Sequence, residues 1–423
     1  MRTIIISTGE ELVCGRILDT NASYLAAELT RHGFQVERLT TVGDDPAIVR
    51  SEVLKAAQEG DLILISGGLG PTADDRTRQA IAEAAGRNLV EDPDSRRHVE
   101  DRLRSFGRTV TDRHLEQARF PQGAVVFANS CGTARGFACQ VGKAWVVAMP
   151  GVPVEMVAMF SGSVLPFLME RLAPGWHVRG ETVHIFPASE SAVDERITDL
   201  TALGRNPSVG ITVRDGIVSV SVLARAQVPS EAEALLRRDV EALRERFGHL
   251  AFGCGGATLA SALSDELERR GLTVSVAESV TGGLIGHMLV DVPGISRFFL
   301  ADVVAYSNEA KVQQLRVSRD ELLRRGAVSA EVAESMARGI CAATGSSLGL
   351  STTGVAGPTG GTREKPVGLV FVGICLEGCA RVVGLDLRGD RWQIKDRAAK
   401  HALNVARLAL IQGVDWPELD RTI

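Results

Sequence analysis

The run Asp61–Ser66, DLILIS, is too uniformly apolar for a strand with one wet face, and it empties directly into the glycine-rich GGLGPTADDRT of Gly67–Thr77. An apolar run of that length bounded by glycine reads as a strand buried on both faces, which is the mark of a parallel sheet covered by helices. The chain before it agrees. Arg2–Ser7 reads as a first continuous strand, and Ala22, Leu25, Ala26 and Leu29 follow helical spacing from Asn21 to His32, where Gly33 supplies a stop. Gln35–Val42 reads as a strand and Ala47–Gln58 as a helix. Strands alternating with helices imply an α/β architecture whose ligands bind at the carboxyl ends of the strands, which is where Gly67–Thr77 falls.

At 423 residues the chain is long enough for two to four domains, each with its own core. Leu172–Gly180 (LAPGWHVRG) ends the first unit, so 1–172 is expected to be one domain. A helix containing Ser189–Leu200, a strand pair around Val209–Ala224 and an arginine-rich helix Glu231–Phe247 predict a small α+β module over 173–252. Gly253, Gly255 and Gly256 mark a second boundary. Beyond it a helix with Leu259, Leu263 and Leu267, stopped by Gly271, leads into the strand Leu272–Ala277, and a second α/β domain is expected over 255–415. Ser318 with Glu321 carries the spacing of a capping box.

Composition removes several classes of function. The 52 acidic and 47 basic residues nearly cancel, with a net charge of −5 and no long like-charge run, so direct nucleic-acid binding is not expected. No apolar run approaches the ~18 residues a membrane span needs, the first residues read as a strand rather than a signal peptide, and the seven cysteines form no CxxC pair, so a cytoplasmic location is expected.

Two loops carry chemistry. Gly67, Gly68 and Gly70 can turn several N–H groups into one concavity suited to phosphate, although no Walker lysine follows. Beside them, Asp74 and Asp75 could hold Mg²⁺ or a similar hard cation, supply a base, or simply cap the next helix. In the second loop, AESVTGG (Ala277–Gly283), Ser279 stands at a strand–helix junction where the N–H groups from Val280 to Gly283 could receive an oxyanion. Lys311, one of only six lysines, could serve as its base, with Tyr306 five residues earlier. The amine would have to be neutral near pH 7, far below its usual value of about 10.4, which costs about 4 kcal/mol and requires burial. From spacing alone the plainer readings lead, with Ser279 as an N-cap, Lys311 as a surface lysine and Tyr306 as a core aromatic.

Five ordered motifs over roughly 1–170, namely TGEELVCGRILDTN, VGDD, SGGLGPTADDRT, NSCGTARG and MPGVPVEM, resemble the molybdopterin-binding fold at the front of the competence/damage-inducible CinA family. AESVTGG, AYSNEAK, GAVSAEVAESMA, TGVAGPTGG, EKPVG and GDR, over about 255–415, resemble that family's C-terminal domain and the nicotinamide mononucleotide amidohydrolases, and ESAVDERITDL joins the two. The implied fold is a three-layer molybdopterin-binding-like domain, a small α+β module and an α/β amidohydrolase domain.

At the front the resemblance implies functional aspartates at Asp44 and Asp75, a phosphate loop at Gly67, Gly68 and Gly70, and divalent-metal-dependent hydrolysis of ADP-ribose, for which Asp74 and Asp75 are the metal candidates read from the residues themselves. Arg135 departs from the family's more common proline. At the rear it implies Ser279 as nucleophile, Lys311 as general base and Tyr306 assisting, with nicotinamide mononucleotide converted to nicotinate mononucleotide and ammonia and no cofactor required. Substrate contacts are expected from Thr281, Gly282, Gly283, Gly354, Gly357, Gly360 and Arg391. Val280 stands where the family commonly has cysteine. A homodimer is expected from the resemblance alone. A different class of function, a nucleotide-sensing competence or repair scaffold without catalysis, finds no exposed basic stripe to support it.

Overall fold

The computed structural model describes residues 1–414 and divides the chain into two compact units: Met1–Arg179 with Arg225–Glu233, and Gly180–Ala224 with Ala234 onward. The first unit is built on a six-stranded sheet. Strands β1 (Arg2–Thr8), β2 (Gln35–Val42), β3 (Leu62–Ser66), β4 (Val125–Phe127), β5 (Gly136–Val141) and β6 (Ala144–Met149) lie in the order β2-β1-β3-β6-β5-β4. The pairs β1–β2, β1–β3 and β3–β6 are parallel, and β5 and β4 add an antiparallel edge. All five residues of β3 are buried, as its apolar run requires. Helix α1 (Thr20–Arg31) covers one face through Ala22, Leu25 and Leu29, together with Met156 of α4 (Pro153–Met159). Helices α2 (Pro46–Glu59) and α3 (Thr77–Ala84) cover the other through Val49, Val53 and Ile81. The result is the expected three-layer α/β arrangement.

The second unit holds most of one sheet and the whole of another. A four-stranded sheet, ordered β8-β9-β7-β10, contains β7 (His177–Ile185), β8 (Ser208–Arg214), β9 (Ile217–Ala226) and β10 (Ala251–Cys254), accompanied by α5 (Glu190–Ile197) and α6 (Pro229–Phe247). After α7 (Leu259–Arg270), closed by Gly271 in the left-handed conformation, comes a five-stranded sheet. It runs β12-β11-β13-β14-β15, from β11 (Val274–Glu278), β12 (Phe299–Val304), β13 (Leu348–Gly354), β14 (Leu369–Leu376) and β15 (Cys379–Asp386). Its helices are α8 (Leu284–Val290), α9 (Asn308–Leu315), α10 (Ala330–Thr344) and α11 (Arg391–Gln412).

The strand read at Leu272–Ala277 begins two residues later and runs through Glu278, because Leu272 still closes α7 by donating its N–H to Leu267. Ser318 does precede a short helix, but its hydroxyl makes no cap bond; Glu321 instead accepts from Ser335 Oγ at 2.7 Å. Among the described residues no helix is long and apolar enough to cross a membrane.

Candidate functional site

In the first unit the carboxyl ends of β1 and β3 open into a cavity of about 470 Å³ lined by Gly67, Gly68, Gly70, Asp44, Asp74 and Asp75 among others. All the front residues singled out from the sequence therefore converge. Their roles differ from those expected. Gly67 donates its N–H to Met149 O (3.0 Å) and Gly70 to Asp75 Oδ1 (2.7 Å), so two of the three glycine donors are already committed. What Gly68 provides is close approach: it sits at φ 67°, and a Cβ there would lie 2.0 Å from Thr77 Oγ1.

Asp75 does not cap the following helix, whose N-cap is Arg76. Its carboxylate folds back and ties the loop, accepting from Gly70, from the Thr72 N–H (2.8 Å) and from the Thr72 hydroxyl. Asp74 is exposed, and the Thr72 side chain beside it holds it below the usual carboxylate range. Asp44 accepts the Glu10 N–H at 3.0 Å; burial, then the charges of Asp74, Glu11 and Asp75, raises it.

The charges of Asp74, Glu11 and Asp75 around Asp44 make one side of the cavity acidic, the kind of surrounding a hard cation favours. Among the described residues, however, no three acidic, histidine or cysteine side chains group closely enough to hold one. Asp44 and Asp74 are the two cavity carboxylates not engaged in the glycine loop, and an ion such as Mg²⁺, which keeps waters and takes one or two carboxylates plus substrate phosphate, is the kind such a pair could hold; Asp75 is engaged in the loop.

Sequence reasoning missed the cavity floor. Asn21, 9% exposed, donates its amide nitrogen to Ser66 Oγ and Gly151 O, both at 2.8 Å, which leaves Oδ1 as an acceptor. That Oδ1 and Ser7 Oγ are buried without a partner in the wall of the cavity. Behind the lining residue Glu155 stands Asn129, whose side chain receives the N–H groups of Cys131 (2.9 Å) and Gly132 (2.8 Å) and donates to Glu155 (2.7 Å). Arg135 turns to Ser95 and Asp92 and does not line the cavity.

In the second unit, β11 delivers Ser279 and α9 delivers Lys311. Lys311 is only 1% exposed, and Nζ lies 3.0 Å from Ser279 Oγ. The same nitrogen donates to Ala305 O (2.6 Å) and Tyr306 O (3.4 Å), and no carboxylate pairs with it among the described residues. Burial alone pushes Lys311 down to about 8. The surface-lysine and N-cap readings do not survive this geometry: helix α8 is capped by Gly283, not Ser279.

Four expectations need correction. Gly283 cannot serve an oxyanion, because its N–H is given to Glu278 Oε2 at 2.8 Å; the N–H groups of Val280, Thr281 and Gly282 have no acceptor among the described residues. The Tyr306 hydroxyl does not face Lys311. Tyr306 is 66% exposed, and Arg391 Nη2 donates to its Oη at 3.3 Å, while Arg391 Nη1 donates to Gly357 O at 2.6 Å. Thr281 spends its hydroxyl on Thr352 Oγ1 (2.7 Å, buried). Gly354 ends β13 against β14, where a Cβ would lie 2.6 Å from Leu369 O, so it serves strand packing; Gly357 and Gly360 lie in the loop beyond, at φ 71° and 86°.

Val280 packs into the apolar core and leaves Ser279 untouched. Unforeseen was Lys395, one helical turn after Arg391, with Nζ 3.7 Å from where a Cβ on Gly282 would stand. The i, i+4 spacing on α11 would have signalled it.

Comparison with known proteins follows the same division. The CinA C-terminal domain family matches residues 256–410, the family described as "Probable molybdopterin binding domain" matches 4–170, and the Damage-inducible protein CinA KH domain matches 181–253. A CinA-like protein of Dictyoglomus thermophilum is 38% identical over 411 residues, covering 97% of this chain and 100% of that protein. One from Kosmotoga olearia is 38% identical, covering 97% and 99%. A solved structure of the protein CinA from Thermoplasma acidophilum, titled as of unknown function, is 34% identical and covers 39% of this chain and 96% of that one, with a TM-score of 0.37. With full-length relatives at this identity and all three domain families in order, the chain belongs to the CinA family.

Proposed function

We propose that the second unit hydrolyses the carboxamide of nicotinamide mononucleotide to nicotinate mononucleotide and ammonia, through a Ser279–Lys311 pair. The observation that carries this reading is a buried, carboxylate-free lysine amine 3.0 Å from a serine oxygen. In its neutral form Lys311 Nζ accepts the Ser279 hydroxyl proton as Oγ attacks the carboxamide carbon. The tetrahedral intermediate collapses as Lys311 returns that proton to the departing nitrogen, which leaves as ammonia. Water then adds to the acyl-enzyme with Lys311 again taking a proton, and Ser279 is restored. The unengaged N–H groups of Val280, Thr281 and Gly282 are the candidate oxyanion donors, and Arg391 and Lys395 offer charge to the substrate phosphate.

In the first unit the proposed activity is metal-dependent cleavage of ADP-ribose to AMP and ribose 5-phosphate. A bound divalent cation would neutralise charge on the diphosphate. Asp44 and Asp74 would hold it, Asp75 would keep the loop in shape, and Asn21 with Ser7 would receive a donor of the nucleotide at the floor.

The test is ammonia release from nicotinamide mononucleotide with chelator present, using wild type, Ser279→Ala and Lys311→Ala. Release by the wild type and loss in both variants is expected; no release by any, or equal release by all three, sinks the mechanism. For the front site, AMP should appear only when divalent metal is added, and activity that survives chelation removes the metal from the proposal.

A further inference from the structure

Ser279 is preceded by a residue with an unusual position. Glu278, the last residue of β11, is wholly buried, and its carboxylate reaches under the loop it begins. Oε2 accepts the Gly283 N–H and Oε1 the Gly286 N–H, each at 2.8 Å. The loop that carries Ser279 is thus tied at both ends by one side chain: it leaves β11 at Glu278 and is received by Glu278 again where α8 starts. On its other side Ser279 donates its N–H to Thr352 O at 3.0 Å. Gly282 and Gly283, both with positive φ, make the return possible.

A second carboxyl supports the first. Asp302 stands on β12, opposite Val276, and its carboxyl lies against Gly286, the residue whose N–H Glu278 accepts. Its Oδ1 is buried and unpartnered, and Oδ2 lies 2.2 Å from where a Cβ on Gly286 would stand, so only glycine fits between them. With two carboxyls flanking one glycine in a dry site, ionisation of one disfavours ionisation of the other. Glu278 accepts two backbone N–H groups, whereas none reaches Asp302 Oδ1. Burial first, then the charge of Glu278, pushes Asp302 up to about 8.

We propose that Glu278 is the positioning residue of the Ser279 nucleophile, and that Asp302 acts as an acid donor that keeps Glu278 in place. Glu278 touches neither substrate nor Lys311; it acts by fixing where Ser279 Oγ points. The inference rests on the Ser–Lys reading of this site, and its test does not depend on the substrate.

The full-length protein and its Glu278→Gln and Asp302→Asn variants are treated with a fluorophosphonate, which reports Ser279 reactivity whatever the natural substrate is, and assayed for ammonia release. Glutamine offers one good acceptor where glutamate offers two, so Glu278→Gln is expected to lower phosphonylation and kcat by roughly ten- to a hundredfold, as loss of a charged hydrogen bond does, with KM nearly unchanged. Asparagine can still donate to Glu278, so Asp302→Asn is expected to stay within a fewfold of wild type. Infrared spectra at neutral pH should contain a carboxylic-acid C=O band that Asp302→Asn removes.

Wild-type phosphonylation in a folded Glu278→Gln protein overturns the positioning role. An Asp302→Asn protein slowed tenfold or more, or a wild type without the acid band, overturns the donor role; if Glu278→Gln does not fold, Glu278→Asp, too short to reach both N–H groups, takes its place, and wild-type phosphonylation in it overturns the positioning role. If the wild type is phosphonylated at Ser279 in a Glu278-dependent way but releases no ammonia, the substrate proposal fails and the positioning inference stands.

Discussion

An amine with 1% exposure and only neutral oxygens around it is held against its own preference for charge, and the consequence is readable in two ways. As a base Lys311 works only when neutral, so kcat/KM for amide hydrolysis should rise about tenfold per pH unit up to about 8 and level above it. Stability carries the matching sign. The folded chain gives up this proton near 8 and the unfolded chain near 10.5, so between those values the unfolded state binds more protons and stability grows with pH. Relative to Lys311→Met, which cannot charge, the wild type should therefore lose Tm as pH falls from 10.5 to 8; a Tm difference flat across that window would mean the amine is not depressed. Residue identities at both sites were legible because AYSNEAK and GGLGPTADDRT are local motifs. The direction of each side chain was not: whether Tyr306 faces Lys311 or Arg391, and whether Asp75 looks forward to its helix or back to Gly70, depends on loop paths that spacing does not encode.

The position of Lys311 is inherited from helix α9, and α9 is set by how closely α10 presses on it. Gly339 in α10 is the contact: a Cβ there would stand 2.0 Å from Leu315 O, the last carbonyl of α9. Replacing a mid-helix glycine by alanine ordinarily gains about 1 kcal/mol of helix propensity. Here the methyl has no room, and Gly339→Ala should instead cost roughly 1–3 kcal/mol in denaturant unfolding and slow Ser279 phosphonylation as α9 shifts. A stabilised variant would show that the two helices are not in firm contact. Elements themselves were well marked in the sequence, since β2 spans the run read as Gln35–Val42 and α7 stops at Gly271 as its glycine suggests. Caps and loop donors were less so. Ser318 with Glu321 has capping-box spacing, yet Glu321 is drawn to Ser335 from another helix, a tertiary bond that outcompetes the local one.

In the chain as a whole, the glycines at 253–256 look like a divide, and two family segments meet there. In space that divide lies inside one compact unit. Arg407, 4% exposed on α11, donates to His249 O at 2.6 Å, and burial pushes it down to about 10. Lys400 donates to Asp215 O at 2.8 Å, and the Phe186 ring lies 4.8 Å from the His401 ring within the same apolar core as Ala402. These contacts join residues 158 and 185 positions apart, and no periodicity or composition shift announces them. They set an expectation for truncation. A fragment that begins at Gly256 keeps Ser279, Lys311 and Arg391 but strips the His249 carbonyl from a buried guanidinium and bares the surface that Phe186 covers. Arg407 keeps its bonds to Asn404 Oδ1, but a lost hydrogen bond and newly bared apolar core both cost stability, so this fragment should melt below one that begins at Gly180, and its Ser279 should be phosphonylated more slowly. Circular dichroism melts of the two fragments side by side make the comparison. Equal Tm values would mean that the small α+β module contributes nothing to the fold that holds the Ser279–Lys311 pair.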